Sequence, residues 1–169
     1  MIFPSNPISV LAYFEVLLNK YKISMGDRPS LSAEMDATLV SISRISSEKG
    51  QEVQACMRAR HEYYVKGDEA TATAIINDAI EFFKGSPYPL LAKMELGTSM
   101  RSVDMINEAI VLFDSRRFDE QGATERKKAE LFRIALAGQV VRAIGMVDRE
   151  LRYINPIARE RFKQRLGSL

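Results

Sequence analysis

Apolar residues recur every three or four positions through most of this 169-residue chain, and this spacing brings them to one face of an α-helix. The clearest apolar series is Ala72, Ile75, Ile76, Ala79, Ile80 and Phe83. No segment alternates apolar and polar residues strictly, as a half-buried strand would. The pattern therefore predicts an all-α protein of stacked antiparallel helical hairpins, arranged as a short α-solenoid or a bundle.

Prolines, glycines and capping residues divide this pattern into separate helices. Asn6 followed by Pro7 predicts the start of the first helix, because asparagine caps a helix and proline suits its first turn. Its expected inward residues are Ile8, Leu11, Phe14, Leu18 and Tyr21. Ser30 or Ser32 is expected to cap the second helix. Further helices are predicted at about 48–65, 69–83, 90–96, 99–114 and 124–144, followed by a terminal helix from Asn155 and Pro156.

Two stretches of the chain align without gaps at a spacing of thirty residues. They share a glycine, an Ile-Asn-acid-Ala-Ile pentapeptide and a phenylalanine. The aligned pairs are Gly67 with Gly97, Ile76–Ile80 with Ile106–Ile110 (so Ala79 with Ala109), and Phe83 with Phe113. Because the glycine, the asparagine and the acid keep one register, we predict that the two stretches occupy equivalent places in the fold.

The segment 59–83 resembles a tetratricopeptide repeat, a helix–turn–helix unit that stacks into a superhelix. The matching residues are Tyr63 late in the first helix, Gly67 at the turn, and Ala72 and Ala79 in the second helix. Cys56 and Arg60 stand where that family prefers a large aromatic and a small residue. The resemblance implies stacked hairpins that bind proteins or peptides along a concave face.

Residues that commonly carry catalysis are few. His61 is the only histidine and Cys56 the only cysteine, which excludes multi-histidine metal sites and a disulfide framework. We predict a surface or partly packed position for His61, and no cofactor. Asp104 and Glu108 lie one helical turn apart, where a solvated face is the expected interpretation. The sequence thus favours binding over catalysis.

No basic stretch typical of a secretory signal opens the chain, and no apolar run is long enough to cross a bilayer. A protein with one cysteine suits a reducing compartment. The expected location is the cytoplasm, with no membrane partner.

Positive charge is concentrated in the last quarter of the chain. Residues 126–169 hold eleven Lys or Arg and four Asp or Glu, whereas the whole chain has a net charge of only +2. Within this segment, 140–154 looks like a DNA-binding helix-turn-helix, with Ile144 and Gly145 at the turn and Arg149 and Arg152 available to bases or phosphates. Other basic residues that would contact nucleic acid or an acidic partner are Arg142, Arg159, Arg161, Lys163 and Arg165.

Two hypotheses about function follow. In the first, a repeat-like body over 1–120 binds a partner protein, as an adaptor, chaperone or assembly factor, and a basic helical segment over 121–169 packs on it. In the second, the protein is a DNA-binding regulator that uses 139–165 and acts as a dimer. The predicted partners are accordingly a protein, with nucleic acid as the alternative, and self-association is compatible with both.

Overall fold

The computed structural model describes residues 6–116, of which 82% are helical, with no strand among them. The helices are α1 (Pro7–Ile23), α2 (Arg28–Ser43), α3 (Glu48–His61, continued by a π-helical turn over Glu62–Lys66), α4 (Glu69–Phe82), α5 (Tyr88–Ser99) and α6 (Val103–Ser115). Helices α1 to α4 pack against their neighbours along the chain, and α5 packs against α6. The all-α prediction is confirmed, while the helices predicted beyond residue 116 lie outside the described residues.

Side chains cap four of these helices at their N-termini, where backbone N–H groups lack helical partners. The Asn6 side chain accepts a hydrogen bond from the Ile8 amide at 2.9 Å, as the sequence predicts. Ser47, Asp68 and Ser102 cap α3, α4 and α6 in the same way.

The start of α2 differs from the prediction. This helix begins at Arg28 after Asp27, and the expected capping residues Ser30 and Ser32 lie inside it. The physical reason is Pro29, whose fixed backbone angle suits the first turn of a helix and allows the helix to start earlier.

The chain divides into two compact units, Met1–Phe83 and Lys84–Leu169. In the first unit, α1 and α2 form an antiparallel pair. The Tyr13 hydroxyl donates a hydrogen bond to the Glu34 carboxylate, and the Arg28 guanidinium lies over the Tyr21 ring. From the first contact to the second, the residue number increases on α1 and decreases on α2. The two helices therefore run in opposite directions.

Helix α3 packs against α1, α2 and α4. Its contacts with α1 show that these two helices run in the same direction, because Glu15 pairs with Arg60 and Lys22 lies over the Tyr64 ring. Gly67 then turns the chain back into α4 with a φ of 72°, a left-handed conformation that glycine adopts at little cost. The first unit is thus a pair of consecutive hairpins, α1–α2 and α3–α4.

The hydrophobic core of this unit lies between α1, α2 and α3. Its buried residues are Val10, Phe14, Leu17, Leu18, Met35, Ile42, Val53 and Met57. The expectation that Ile8 faces inward is wrong, because its side chain is 53% exposed. Helical geometry turns Ile8 to the side of α1 opposite Leu17, and Val10 takes the core position instead.

The turn between α2 and α3 depends on Gly50, which is buried in the first turn of α3. A Cβ atom at this position would lie 2.6 Å from the Ile45 carbonyl oxygen. No side chain fits there without moving the backbone, so glycine allows the chain to fold back tightly after α2.

In the second unit, α5 and α6 form a hairpin joined by Met100–Ser102. Gly97 is buried inside α5, and a Cβ atom there would lie 3.0 Å from Met105 Cβ and 3.1 Å from Ile106 Cγ1. Glycine therefore allows the close approach of two helices here, whereas Gly67 makes a turn. The predicted equivalence of the two glycines is wrong, because sequence spacing does not distinguish these two uses of the residue.

The helices of the repeated stretches nevertheless bury the same positions. These buried pairs are Ile76 and Ile106, Ala79 and Ala109, Ile80 and Ile110, and Phe83 and Phe113. The shared pattern thus reflects a common inward face on α4 and α6. Among residues 6–116, no helix is long and apolar enough to cross a membrane.

Candidate functional site

Helix α3 buries three acidic or basic side chains, those of Glu52, Arg60 and His61. Such groups are seldom buried without partners, since they lose their hydration. The predicted surface or partly packed position of His61 is wrong, because the residue is 1% exposed. The reason is that α3 is covered by α1, α2 and α4, which leaves little of its circumference in contact with solvent.

Two of these side chains lie close to carboxylates of neighbouring helices. Arg60 lies 3.1 Å from the Glu15 carboxylate of α1, and His61 Nε2 lies 3.2 Å from the Asp36 carboxylate of α2. Arg60 therefore fills, with a charged group, the position at which tetratricopeptide repeats prefer a small residue. These two pairs link α3 to both helices of the preceding hairpin.

Burial lowers the pKa of His61 below its ordinary value, and the nearby Lys66 ammonium acts in the same direction. The Asp36 carboxylate raises the pKa of His61, by more than Lys66 lowers it but by less than burial does, since Asp36 is 60% exposed and its field is screened by water. The ring is therefore neutral near pH 7. Within the described residues, no group of three or more His, Cys, Asp or Glu side chains could hold a metal ion.

A different feature of the first unit is an open groove between α3 and α4, with a volume of about 390 Å³. Its lining combines apolar side chains with a few polar ones. The apolar members are Ala55, Ile75, Ala79, Phe82 and Phe83, and the polar members are Gln51, Gln54, Arg58 and Asp78. Phe82 is the most exposed large aromatic side chain of the described residues, at 72%. Water contacts this ring directly. Exposing apolar surface to water is unfavourable in free energy, and an apolar partner that covered the ring would remove this cost.

Two opposite charges border the groove, Arg58 on α3 and Asp78 on α4, and both side chains are exposed. Neither side chain makes a hydrogen bond or an ion pair within residues 6–116. The arrangement can hold an apolar side chain between a cation and an anion that remain available for polar contacts.

The structure brings one of the residues matched to the tetratricopeptide motif, Ala79, to this groove. Ala72 and Ala79 are buried on α4, and Ala79 also lines the groove. Tyr63 lies in the π-helical turn of α3, where its ring makes an edge-to-face contact with Tyr64 at 4.7 Å. Gly67 ends that turn.

Other predicted site residues are not brought to the groove. Gly97 and Ala109 belong to the α5–α6 hairpin of the second unit. Asp104 and Glu108 are exposed, as expected, and Glu108 pairs with the buried Lys93 ammonium at 2.6 Å. The basic residues proposed to contact nucleic acid lie outside the described residues, namely Arg142, Arg149, Arg152, Arg159, Arg161, Lys163 and Arg165.

Sequence reasoning did not identify Phe82 as a site residue, although a signal was present. Phe82 and Phe83 are adjacent, and adjacent residues on a helix point about 100° apart. Phe83 continues the series of buried apolar residues of α4, so the side chain of Phe82 is turned toward solvent. An aromatic residue next to the inward series therefore indicates a second, exposed apolar surface.

Comparisons with protein families, with curated proteins and with solved structures found no significant match to this chain.

Proposed function

We propose that this protein is a non-enzymatic protein–protein interaction module, acting as an adaptor, chaperone or assembly factor, that binds a helical segment of a partner protein in the α3/α4 groove. The observation that carries the proposal is the 72% exposure of Phe82 beside a groove of about 390 Å³. Exposed aromatic side chains of this kind are typical anchors of protein interfaces.

The chemistry of the groove specifies its partner. An apolar side chain of the partner would occupy the space above Ala55 and Ile75 and cover the Phe82 ring. A carboxylate on the same segment would pair with Arg58, and a basic side chain would pair with Asp78. An amphipathic helix offers this combination, because residues three and four apart share one face.

An open groove of this kind favours a helix over a small molecule. Small-molecule sites usually enclose most of their ligand in a concave pocket. Here the lining follows the two helices and remains open to solvent, which suits an extended ligand that brings its own apolar face.

The test begins with helical peptides selected by display on the purified full-length protein. We expect selected peptides to carry one apolar anchor flanked by an acid and a base. Covering an exposed aromatic ring contributes about 2 kcal/mol, so Phe82→Ala should weaken binding by about 30-fold in fluorescence anisotropy. Val40→Ala is the matched control, since Val40 is exposed on α2 and does not line the groove.

Charge exchange provides the second arm of this test. Arg58→Asp should weaken the binding of a peptide whose acidic residue faces this position. Replacing that acidic residue of the peptide with a basic one should restore binding. Peptides that bind Phe82→Ala and the unmodified protein equally would contradict the proposal, as would a failure to select any peptide that depends on the groove.

The helix-turn-helix hypothesis is an outcome of the same series of experiments. Duplex DNA binding that weakens steeply with salt and is abolished by Arg149→Glu with Arg152→Glu, but is unchanged by Phe82→Ala, would favour the DNA-binding regulator instead. No salt-sensitive binding at low ionic strength would exclude it.

A further inference from the structure

A second apolar surface runs along the solvent side of α1, away from its core face. It consists of four apolar residues and one asparagine, spaced by four, four, three and four positions. These residues, hereafter the α1 stripe, are Ile8, Ala12, Val16, Asn19 and Ile23. At 100° per residue they fall within an arc of about 80°. All five are exposed, and the stripe contains no charged residue.

Single exposed apolar residues are common on protein surfaces and need no explanation. The α1 stripe differs because it extends along the whole helix, which is about 25 Å long. Val16 is 50% exposed and Ile23 is 82% exposed. The opposite side of α1 already fills the core through residues such as Phe14 and Leu17. A helix that is apolar on two sides is typical of one buried between two partners.

The order of residues in the stripe is self-complementary when two copies of α1 pair in antiparallel. With a twofold axis near Val16, Ile8 lies opposite Ile23 of the second copy, and Ala12 lies opposite Asn19. Val16 then meets Val16 across the axis. The two large end residues cover each other, and the small Ala12 leaves room for the Asn19 amide to reach water.

Charge on α1 favours the same orientation. Its lysines, Lys20 and Lys22, lie near the C-terminal end, and no basic residue lies within 7–13. A parallel pair would bring four ammonium groups together, whereas an antiparallel pair separates them toward opposite ends. Antiparallel helices also oppose their macrodipoles.

We infer that the α1 stripe is the contact surface of a homodimer, in which two copies of α1 pack antiparallel about a twofold axis near Val16. A symmetric dimer requires one patch that complements itself, and the stripe meets this requirement. Two helices of this length bury on the order of 1,000 Å², near the lower limit of specific interfaces. An interface of this size is consistent with a reversible dimer that dissociates on dilution. This inference does not depend on the function proposed for the α3/α4 groove.

Sedimentation velocity of the full-length protein over a micromolar concentration series tests the dimer. The mass should rise from the monomer value of 19.1 kDa toward that of a dimer. Val16→Glu places two carboxylates across the axis and should weaken dimerisation at least tenfold. Val40→Glu is the matched control, because Val40 is a similarly exposed valine on α2, 56% exposed against 50% for Val16. Circular dichroism verifies that both variants retain their helices.

Disulfide trapping tests the orientation, in a Cys56→Ala background that removes the single native thiol. The Ile8→Cys chain mixed with the Ile23→Cys chain should give the mixed disulfide in preference to either homodisulfide, and the Val16→Cys chain should cross-link with itself. A protein that stays monomeric throughout the series would overturn the inference, as would a dimer that Val16→Glu leaves intact. Homodisulfides of Ile8→Cys in place of the mixed product would overturn the antiparallel arrangement.

Discussion

His61 lies in the interior of the first unit, with its Nε2 atom 3.2 Å from the Asp36 carboxylate. Its partner is largely solvated, so the energetic effect of the pair is smaller than its distance suggests. Loss of hydration is the larger effect and lowers the pKa of the imidazole. At the residue scale, His61 is therefore a neutral core residue that becomes unfavourable when it is protonated.

This environment predicts a loss of stability in mild acid. The folded pKa lies below the unfolded value of about 6.5, so the unfolded chain takes up a proton first as the pH falls. The contribution of His61 to the free energy of unfolding should be nearly constant well above a pH of about 6.5. It should decline as the pH falls through this value. Urea denaturation between about pH 7.5 and 5.5 measures this decline, because ordinary carboxylates titrate little in this window.

The His61→Gln variant is the control for that measurement, since it removes the titrating group and should show a smaller decline over the same window. Because His61 is the only histidine, its proton resonance also titrates alone in an NMR experiment. A midpoint at or above 6.5 in the folded protein would contradict the predicted effect of burial.

At the scale of helices, the turns and close contacts between packed helices rely on glycine for different physical reasons. Gly67 supplies a positive φ at the α3–α4 turn, whereas Gly50 removes a side chain that would meet the Ile45 carbonyl oxygen. Gly97 allows α5 and α6 to approach. Only the first of these needs an unusual backbone conformation.

The contact at Gly50 leads to a stability prediction. Gly50→Ala should lower the free energy of unfolding by about 1 to 3 kcal/mol, the range for overpacking a well-packed site, because the nearest atom is backbone and cannot move aside alone. Chemical denaturation of both proteins measures the difference. Gly26→Ala is the matched control, since a Cβ atom there has no neighbour within 4 Å. Equal destabilisation by the two substitutions would mean that α2 and α3 approach less closely than described.

At the scale of the whole molecule, the Cys56 thiol reports how often the folded structure opens. It is the only cysteine in the chain, and its side chain is buried. We expect the native protein to react slowly with a thiol reagent, because labelling requires the structure to open, and the denatured protein to react rapidly.

The logarithm of this labelling rate should change in proportion to the effect of a substitution on the free energy of opening. Gly50→Ala should accelerate labelling by about 5-fold or more, corresponding to a loss of at least 1 kcal/mol in the closed state. Val40→Ala should leave the rate nearly unchanged, because Val40 is exposed. Rapid labelling of the native protein would show that Cys56 is accessible without unfolding.

The sequence predicted the features that depend on neighbours along the chain. Helical periodicity and the cap at Asn6 are local, since the hydrogen bonds involved form within a few residues. The common inward face of α4 and α6 was also predicted, because the spacing of Ile76, Ala79 and Ile80 and of their counterparts places them on one side of a helix.

Other features were decided only by tertiary structure. Whether His61 is buried depends on α1 and α2 covering α3, and whether Gly97 makes a turn or a close contact depends on the path of α6. The exposed positions of Phe82 and of the α1 stripe likewise follow from which helix faces remain uncovered after packing. The sequence alone thus determined which residues share a helix face, because that is set by the 3.6-residue period. Tertiary structure decided which of those faces meet protein and which meet water, because that depends on residues far apart in the chain.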